Sequence, residues 1–165
     1  MSIDTFRASV GNFVRPTRFR VFPGIMINDR NFEFLCKAAS LPAANLGMIN
    51  VPYQGRMIPD AGDTTFDPWT ITIQQDERFI VRNQLMAWKE MINGNATNIS
   101  LLPPQAYKTD IVVEQLNQQN GIIASYRLVG AFPINIGEIQ LSYEMIDQIE
   151  EYQVTFALAY WTQII

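Results

Sequence analysis

Between residues 41 and 68 the chain holds four prolines (Pro42, Pro52, Pro59, Pro68) and three glycines (Gly47, Gly55, Gly62). The same stretch carries Leu46, Met48, Ile49, Val51, Tyr53 and Phe66. Loops this long are uncommon inside a compact domain unless they are functional or disordered. Disordered segments are poor in apolar residues of this kind. An extended, hairpin-like arm that packs on something outside its own domain satisfies both facts, and the remaining elements have to be built around it.

Those elements are mostly strands. Residues 1–16 read as a polar, arginine-bearing arm that leads to a first strand over 17–22, closed by Pro23-Gly24. A second strand is expected over 31–39, with Phe32, Phe34, Cys36 and Ala38 on one face. Trp69 to Gln74 alternates apolar and polar residues, as a half-buried strand does. One helix follows over about 78–93, with Asp76 as its expected N-cap and Asn93-Gly94 as its stop. Its apolar stripe is Val81, Leu85, Trp88 and Ile92, with Arg78, Arg82 and Lys89 opposite. Residues 107–116 and 122–129 form an expected hairpin around Asn120-Gly121. Two more strands are expected over 134–144 and 152–161. The pattern is mainly β, a sandwich or barrel with one flanking helix. At 165 residues the chain fits a single domain over 1–165.

Charge and motifs exclude more than they assign. Hydrophobic residues make up 48% and charged residues only 17%, so few charges are left to solvate an isolated surface. The formal net charge is −4, which opposes tight binding to a phosphate backbone. Arg7, Arg15, Arg18 and Arg20 crowd the first twenty residues, whereas residues 131–165 hold five acids and no Lys or Arg. That asymmetry favours head-to-tail contact between copies. Histidine is absent, which removes Ser–His–Asp and Cys–His catalysis and any histidine-bearing zinc site. Asp60, Asp63 and Asp67 do not follow calcium-loop spacing, and no glycine-rich phosphate loop occurs, so no cofactor and no metal are expected. Cys36 sits in an apolar run and reads as a buried structural thiol. No signal-peptide pattern opens the chain and no 18-residue apolar stretch exists, so no membrane insertion is expected.

Four stretches, in order, resemble the tail tube proteins of T-even-type contractile phages. They are Arg15-Pro16-Thr17-Arg18-Phe19-Arg20-Val21; Cys36 to Pro42 with Ile49-Asn50-Val51-Pro52-Tyr53-Gln54-Gly55-Arg56; Ala61 to Ile73; and Tyr126 to Pro133, continuing through Glu150 to Phe156 and Tyr160-Trp161. The resemblance implies a non-enzymatic subunit with six copies per ring, whose rings stack into a hollow conduit. It implies a virion location, with assembly in the host cytoplasm. The partners it implies are the sheath, the baseplate or tube initiator, the terminator, the tape measure protein and, in transit, double-stranded DNA. On this view Arg15, Arg18, Leu46, Met48, Ile49, Val51, Tyr53 and Phe66 make contacts between subunits or rings. Glu114, Glu138 and Glu144, on expected strands, are the candidates for a lumen wall that repels DNA. Two alternatives stay open: the tube of a phage-derived contractile injection particle, and a small ligand-binding β-barrel.

Overall fold

The structure is a computed structural model that describes residues 3–10 and 13–165. Met1, Ser2, Gly11 and Asn12 of the expected N-terminal arm lie outside the described residues, as does the side chain of Arg7. In order, the elements are α1 (Ile3–Val10), β1 (Phe19–Phe22), α2 (Phe32–Leu35), β2 (Cys36–Ala39), β3 (Asn45–Tyr53), β4 (Arg56–Thr65) and β5 (Trp69–Gln74). They continue with α3 (Ile80–Ile92), α4 (Pro104–Tyr107), β6 (Thr109–Leu116), β7 (Ile122–Ile136), β8 (Glu151–Ala157) and β9 (Tyr160–Gln163). The fold is mainly β, as the alternating patterns require.

Seven strands form one antiparallel sheet in the order β1-β6-β7-β8-β5-β2, with β9 also on β7. The short α2 packs on both β1 and β2, the two ends of that path. The sheet is therefore curled most of the way around a single core. β7 makes the curl possible. It pairs with β6 and β9 over its first part and with β8 after residue 132. Between the two parts Gly130 adopts φ +66°, a left-handed conformation that L residues rarely take.

Inside the curl, Phe156 of β8 lies between two indoles, its centroid 6.0 Å from Trp69 and 6.1 Å from Trp88. Val81, Leu85 and Trp88 bring the expected helix stripe onto this centre, and all three are buried. Trp88 donates its indole N–H to the Tyr107 carbonyl at 2.8 Å, so its one polar group is satisfied. Cys36 is buried, as expected.

Four expectations need correction. Residues 31–39 are not one strand, because 32–35 form a helical turn before β2. Burial there falls on Phe32 and Cys36, four apart as on a helix, and leaves Phe34 exposed. The main helix starts at Ile80 instead of following an Asp76 cap, because Phe79, at φ 55°, turns the chain first. Residues 137–150 are irregular, not a strand: the ladder with β8 ends at Ile136↔Val154, and after one further bond from Gly137 to the Gln153 carbonyl the chain leaves the sheet. The last expected strand breaks at 158–159, where the chain rounds the β7 corner and Ala159 donates to the Val129 carbonyl at 3.0 Å.

Truncating Phe156 to Ala should cost roughly 3–5 kcal/mol of folding stability by denaturant titration. Tyr53→Ala, on the exposed arm, should change the monomer by no more than about 0.5 kcal/mol.

Candidate functional site

Strands β3 and β4 form a two-stranded sheet of their own, separate from the large one. Their register runs from Tyr53↔Arg56 at the tip through Val51↔Ile58 and Ile49↔Asp60 to Asn45↔Thr65. The tip is Gln54-Gly55, both at positive φ (47° and 78°), as a tight primed turn requires. Gly47 and Gly62 meet at the register shift, where a Cβ on Gly62 would lie 2.9 Å from the Gly47 carbonyl carbon. No larger residue fits that crossing.

Alternation along this hairpin puts Met48, Pro52, Met57 and Pro59 on one face and Ile49, Val51, Tyr53 and Ile58 on the other. Exposed apolar side chains dominate both faces, Met48 and Tyr53 being 66% and 61% accessible, with Asn50 on the first face and Arg56 and Asp60 on the second. An ordinary surface hairpin keeps one polar face in water. Here neither face suits water, and a lone two-stranded hairpin is at best marginally stable in it. The root is nonetheless firmly held. Trp69 donates its indole N–H to the Ser40 carbonyl at 2.7 Å, and Trp161 donates to the Ala43 carbonyl at 3.1 Å. Phe66 is half-buried at the return, and Asn45 hydrogen-bonds Asp67 beside it. The arm is presented by the core and does not dangle from it.

The residues singled out from sequence fall into three groups. Leu46, Met48, Ile49, Val51 and Tyr53 come together on the hairpin, with Phe66 at its base. Arg15 and Arg18 lie beside the β6–β7 turn. Arg18 donates to the Gln118 carbonyl at 2.9 Å and the Asn120 Oδ1 at 3.2 Å, and the Arg15 carbonyl accepts from Gln115 at 3.0 Å. The three acids do not converge. Glu114 is on β6, paired in register with Arg20 and Ser125. Glu138 and Glu144 stand on the irregular 137–150 segment, so the reason for giving them to a strand face is gone. Asp60, Asp63 and Asp67 spread along and beyond β4, and among the described residues no group of three metal-ligating side chains forms. No helix among the described residues is long and apolar enough to cross a membrane.

Sequence reasoning missed two surface features. Helix α1 exposes Ile3 and Phe6, and the Phe6 ring lies 6.4 Å from Phe13. The 137–150 segment exposes Leu141, Tyr143, Ile146 and Ile149. Its period-two pattern was a signal of surface apolar residues, misassigned to a strand.

A family model for phage tail tube protein matches residues 6–164. The tail tube protein gp19 of Enterobacteria phage T6 is 37% identical over 152 residues, 92% of each chain, and that of Enterobacteria phage T4 is 36% identical over the same share. Among solved structures, a chain in the cryo-EM structure of the sheath/tube terminator of an extracellular contractile injection system superposes with TM-score 0.72. It is 14% identical, and the match covers 95% of this chain and 100% of that one. A chain in the anti-feeding prophage cap superposes with TM-score 0.70 at 18% identity, covering 99% and 98%. At those identities the structural matches speak for the fold.

The root of the 137–150 segment carries a buried phenol. Burial, and secondarily the Asp76 charge, push Tyr152 from the usual 10.0 to about 12 against the opposing pull of Arg82; burial alone raises Cys36 from 9.0 to about 12. Both groups fold protonated, so the folded state binds more protons than the unfolded state between the two values. Their contribution is intact below about pH 9 and is lost as pH rises toward 12. The urea midpoint should hold from pH 7 to 8.5 and then fall. Tyr152→Phe should make the fall above pH 10 shallower and leave the Cys36 part, and an unchanged alkaline limb in that variant would contradict the assignment.

Proposed function

Because this chain belongs to the phage tail tube protein family, we propose that it is the structural, non-enzymatic subunit of a contractile phage tail tube. Six copies form a ring, and rings stack head to tail into a hollow conduit for double-stranded DNA and the tape measure protein. The phage relatives match at 36–37% identity, against 14–18% for the injection-particle structures, which favours a phage tail over an injection particle.

The observation that carries this reading is surface. A compact monomer of this mass exposes about 8300 Å². This chain exposes 11672 Å². The excess is equivalent to about four patches of the standard size of about 800 Å² per partner. A subunit with neighbours on both sides of its ring and rings above and below has use for that number. The β3–β4 hairpin is exposed along nearly its whole length, and its apolar side chains fit insertion between neighbours of an adjoining ring. Stacking is a heterologous contact that does not close on itself, so it builds a filament. Sheath, initiator and terminator then bind the sides and ends of that filament.

An acidic lumen suits DNA passage, because attraction to phosphates would hold the DNA back. Of the three carboxylates considered for the wall, only Glu114 lies on a sheet strand. The proposed location is the virion, after assembly in the host cytoplasm.

Purified, untagged protein, concentrated and left to stand, should give hollow tubes or six-fold rings in negative stain. Removing residues 42–67 should leave a cooperatively folded domain, with the strand signal in circular dichroism reduced by β3 and β4 and the thermal midpoint nearly unchanged, while abolishing tubes. Long tubes from the deletion variant would overturn the role given to the arm.

A further inference from the structure

The 137–150 segment joins β7 to β8 as a compact Ω-shaped loop whose two ends are fixed. At one end Gly137 donates to the Gln153 carbonyl at 2.7 Å and accepts from Arg82 Nη1 at 3.0 Å. At the other, Gln75 donates to the Glu150 carbonyl at 2.8 Å. The same Arg82 stacks over the Tyr152 ring at 4.7 Å, which holds the guanidinium in place. A Cβ on Gly137 would lie 2.8 Å from the Gln153 carbonyl oxygen, so the strand can come this close only at glycine. Short turns organise the body: Met145 donates to the Ser142 carbonyl at 3.2 Å and Ile146 to the Glu144 carbonyl at 3.1 Å. On this fixed frame Leu141, Tyr143 and Ile146 stand exposed. They are interspersed with Glu138, Glu144 and Asp147, and the segment has no Lys or Arg. A rooted loop with apolar tips in water and one sign of charge is a docking element.

A complementary groove lies between β1 and α2. It has a volume of about 480 Å³ and is lined by Arg18, Phe19, Arg20 and the exposed Phe34, with Glu33 as its only acid. Past Arg18 it continues into a second depression of about 230 Å³ that adds Phe13 and Arg15. Arg20 faces Glu114 in register without closing an ion pair. Three arginines against one lining glutamate, set among aromatic rings, match the chemistry of the loop.

The two features do not meet within the chain, because Tyr143 of the loop and Phe34 of the groove both stand exposed. The groove sits where the ends of the sheet path come together at α2, and the loop leaves from β7 and β8 in the middle of that path. The C-terminal root of the loop lies beside β2, where Lys37 pairs with Glu151, and the loop's apolar tip is left uncovered there. We propose that the 138–149 loop of one copy seats in the Arg18–Phe34 groove of the next, as a head-to-tail contact between neighbouring subunits. The proposal rests on the tube reading and names a contact distinct from the hairpin.

The test uses a short bismaleimide crosslinker on assembled full-length protein carrying Tyr143→Cys and Phe34→Cys together, with each single variant as control. Cys36 is buried and should stay unreactive in all three. The double variant should give a ladder of crosslinked oligomers, and neither single variant should. Tubes that show no ladder, or dimers of equal yield from the Tyr143→Cys variant alone, would overturn the contact and leave the tube reading standing. Glu144→Arg with Asp147→Arg should reduce assembly at least tenfold, and adding Arg15→Glu with Arg18→Glu should restore it. Loss without restoration would count against the pairing. Wild-type protein that does not assemble at any concentration, together with a double variant that gives no ladder, overturns both the contact and the tube reading.

Discussion

The bend in β7 is the constraint on which the other elements depend. Fifteen residues in one strand serve two halves of the sheet, and the change of partner happens at Gly130. A straight β7 would keep β8 and β9 in line and hold the two halves flat. With φ at +66° the strand turns, β8 and β9 separate at 158–159, and the ends of the sheet come round to α2. The turn also sets what surrounds it: Gly130 N–H donates to Asp110 Oδ1 at 3.2 Å, and a Cβ at 130 would lie 3.4 Å from that of Ala159. Once the sheet is curled, Trp69, Phe156 and Trp88 meet in its interior and α3 has a surface to cover.

Stability and assembly are allotted to different parts of the molecule. The core is made of side chains with almost no accessible surface, and both core indoles donate to backbone carbonyls. One of those bonds, from Trp69 to Ser40, also fixes the root of the hairpin. The folded domain therefore holds out an element that gains little from the domain itself. Each apolar side chain on the hairpin is worth about 1.5–3 kcal/mol when fully buried. In the monomer that gain is unrealised, and in an assembly it becomes available without any rearrangement of the core. Partners that change shape little on binding lose less to ordering.

How much of this was legible in sequence follows from which interactions are local. The period-two run 69–74 became β5 with its ends as read, because each residue's face is set by the residue beside it. The helix stripe was legible for the same reason at spacing 3.6. The arm was legible because its prolines, glycines and exposed apolar residues contradict every ordinary reading. Errors arose where the same alternation had no tertiary partner. Residues 134–144 alternate well, but the strand opposite them begins at 151 and its ladder ends at Ile136. Phe32, Phe34, Cys36 and Ala38 also alternate, yet a turn of helix hides Phe32 and leaves Phe34 in the groove. That Leu46, Met48, Ile49, Val51 and Tyr53 form one exposed apolar group was legible, since it needed only their place on the arm; their contacts in an assembly are a proposal. The acids assigned to a lumen in the proposed tube depended on the position of a sheet face relative to other copies, which is a property of no single chain.

Charge supplies the last constraint, because it gives the subunit a direction. Arginines gather at β1 and its approach, and the acids of the last third gather on the loop between β7 and β8. Two copies related by a two-fold axis through either patch would set like charge against like. Facing one patch to the other removes that repulsion and repeats the same contact from copy to copy. Like-charge juxtaposition acts more on specificity than on affinity. A two-fold dimer built on one patch alone is disfavoured, whereas the complementary contact repeated in one direction suits the proposed tube. The chain thereby remains available to rings and stacks. Nothing in a repeated contact counts copies, so the number of rings has to be imposed from outside the subunit.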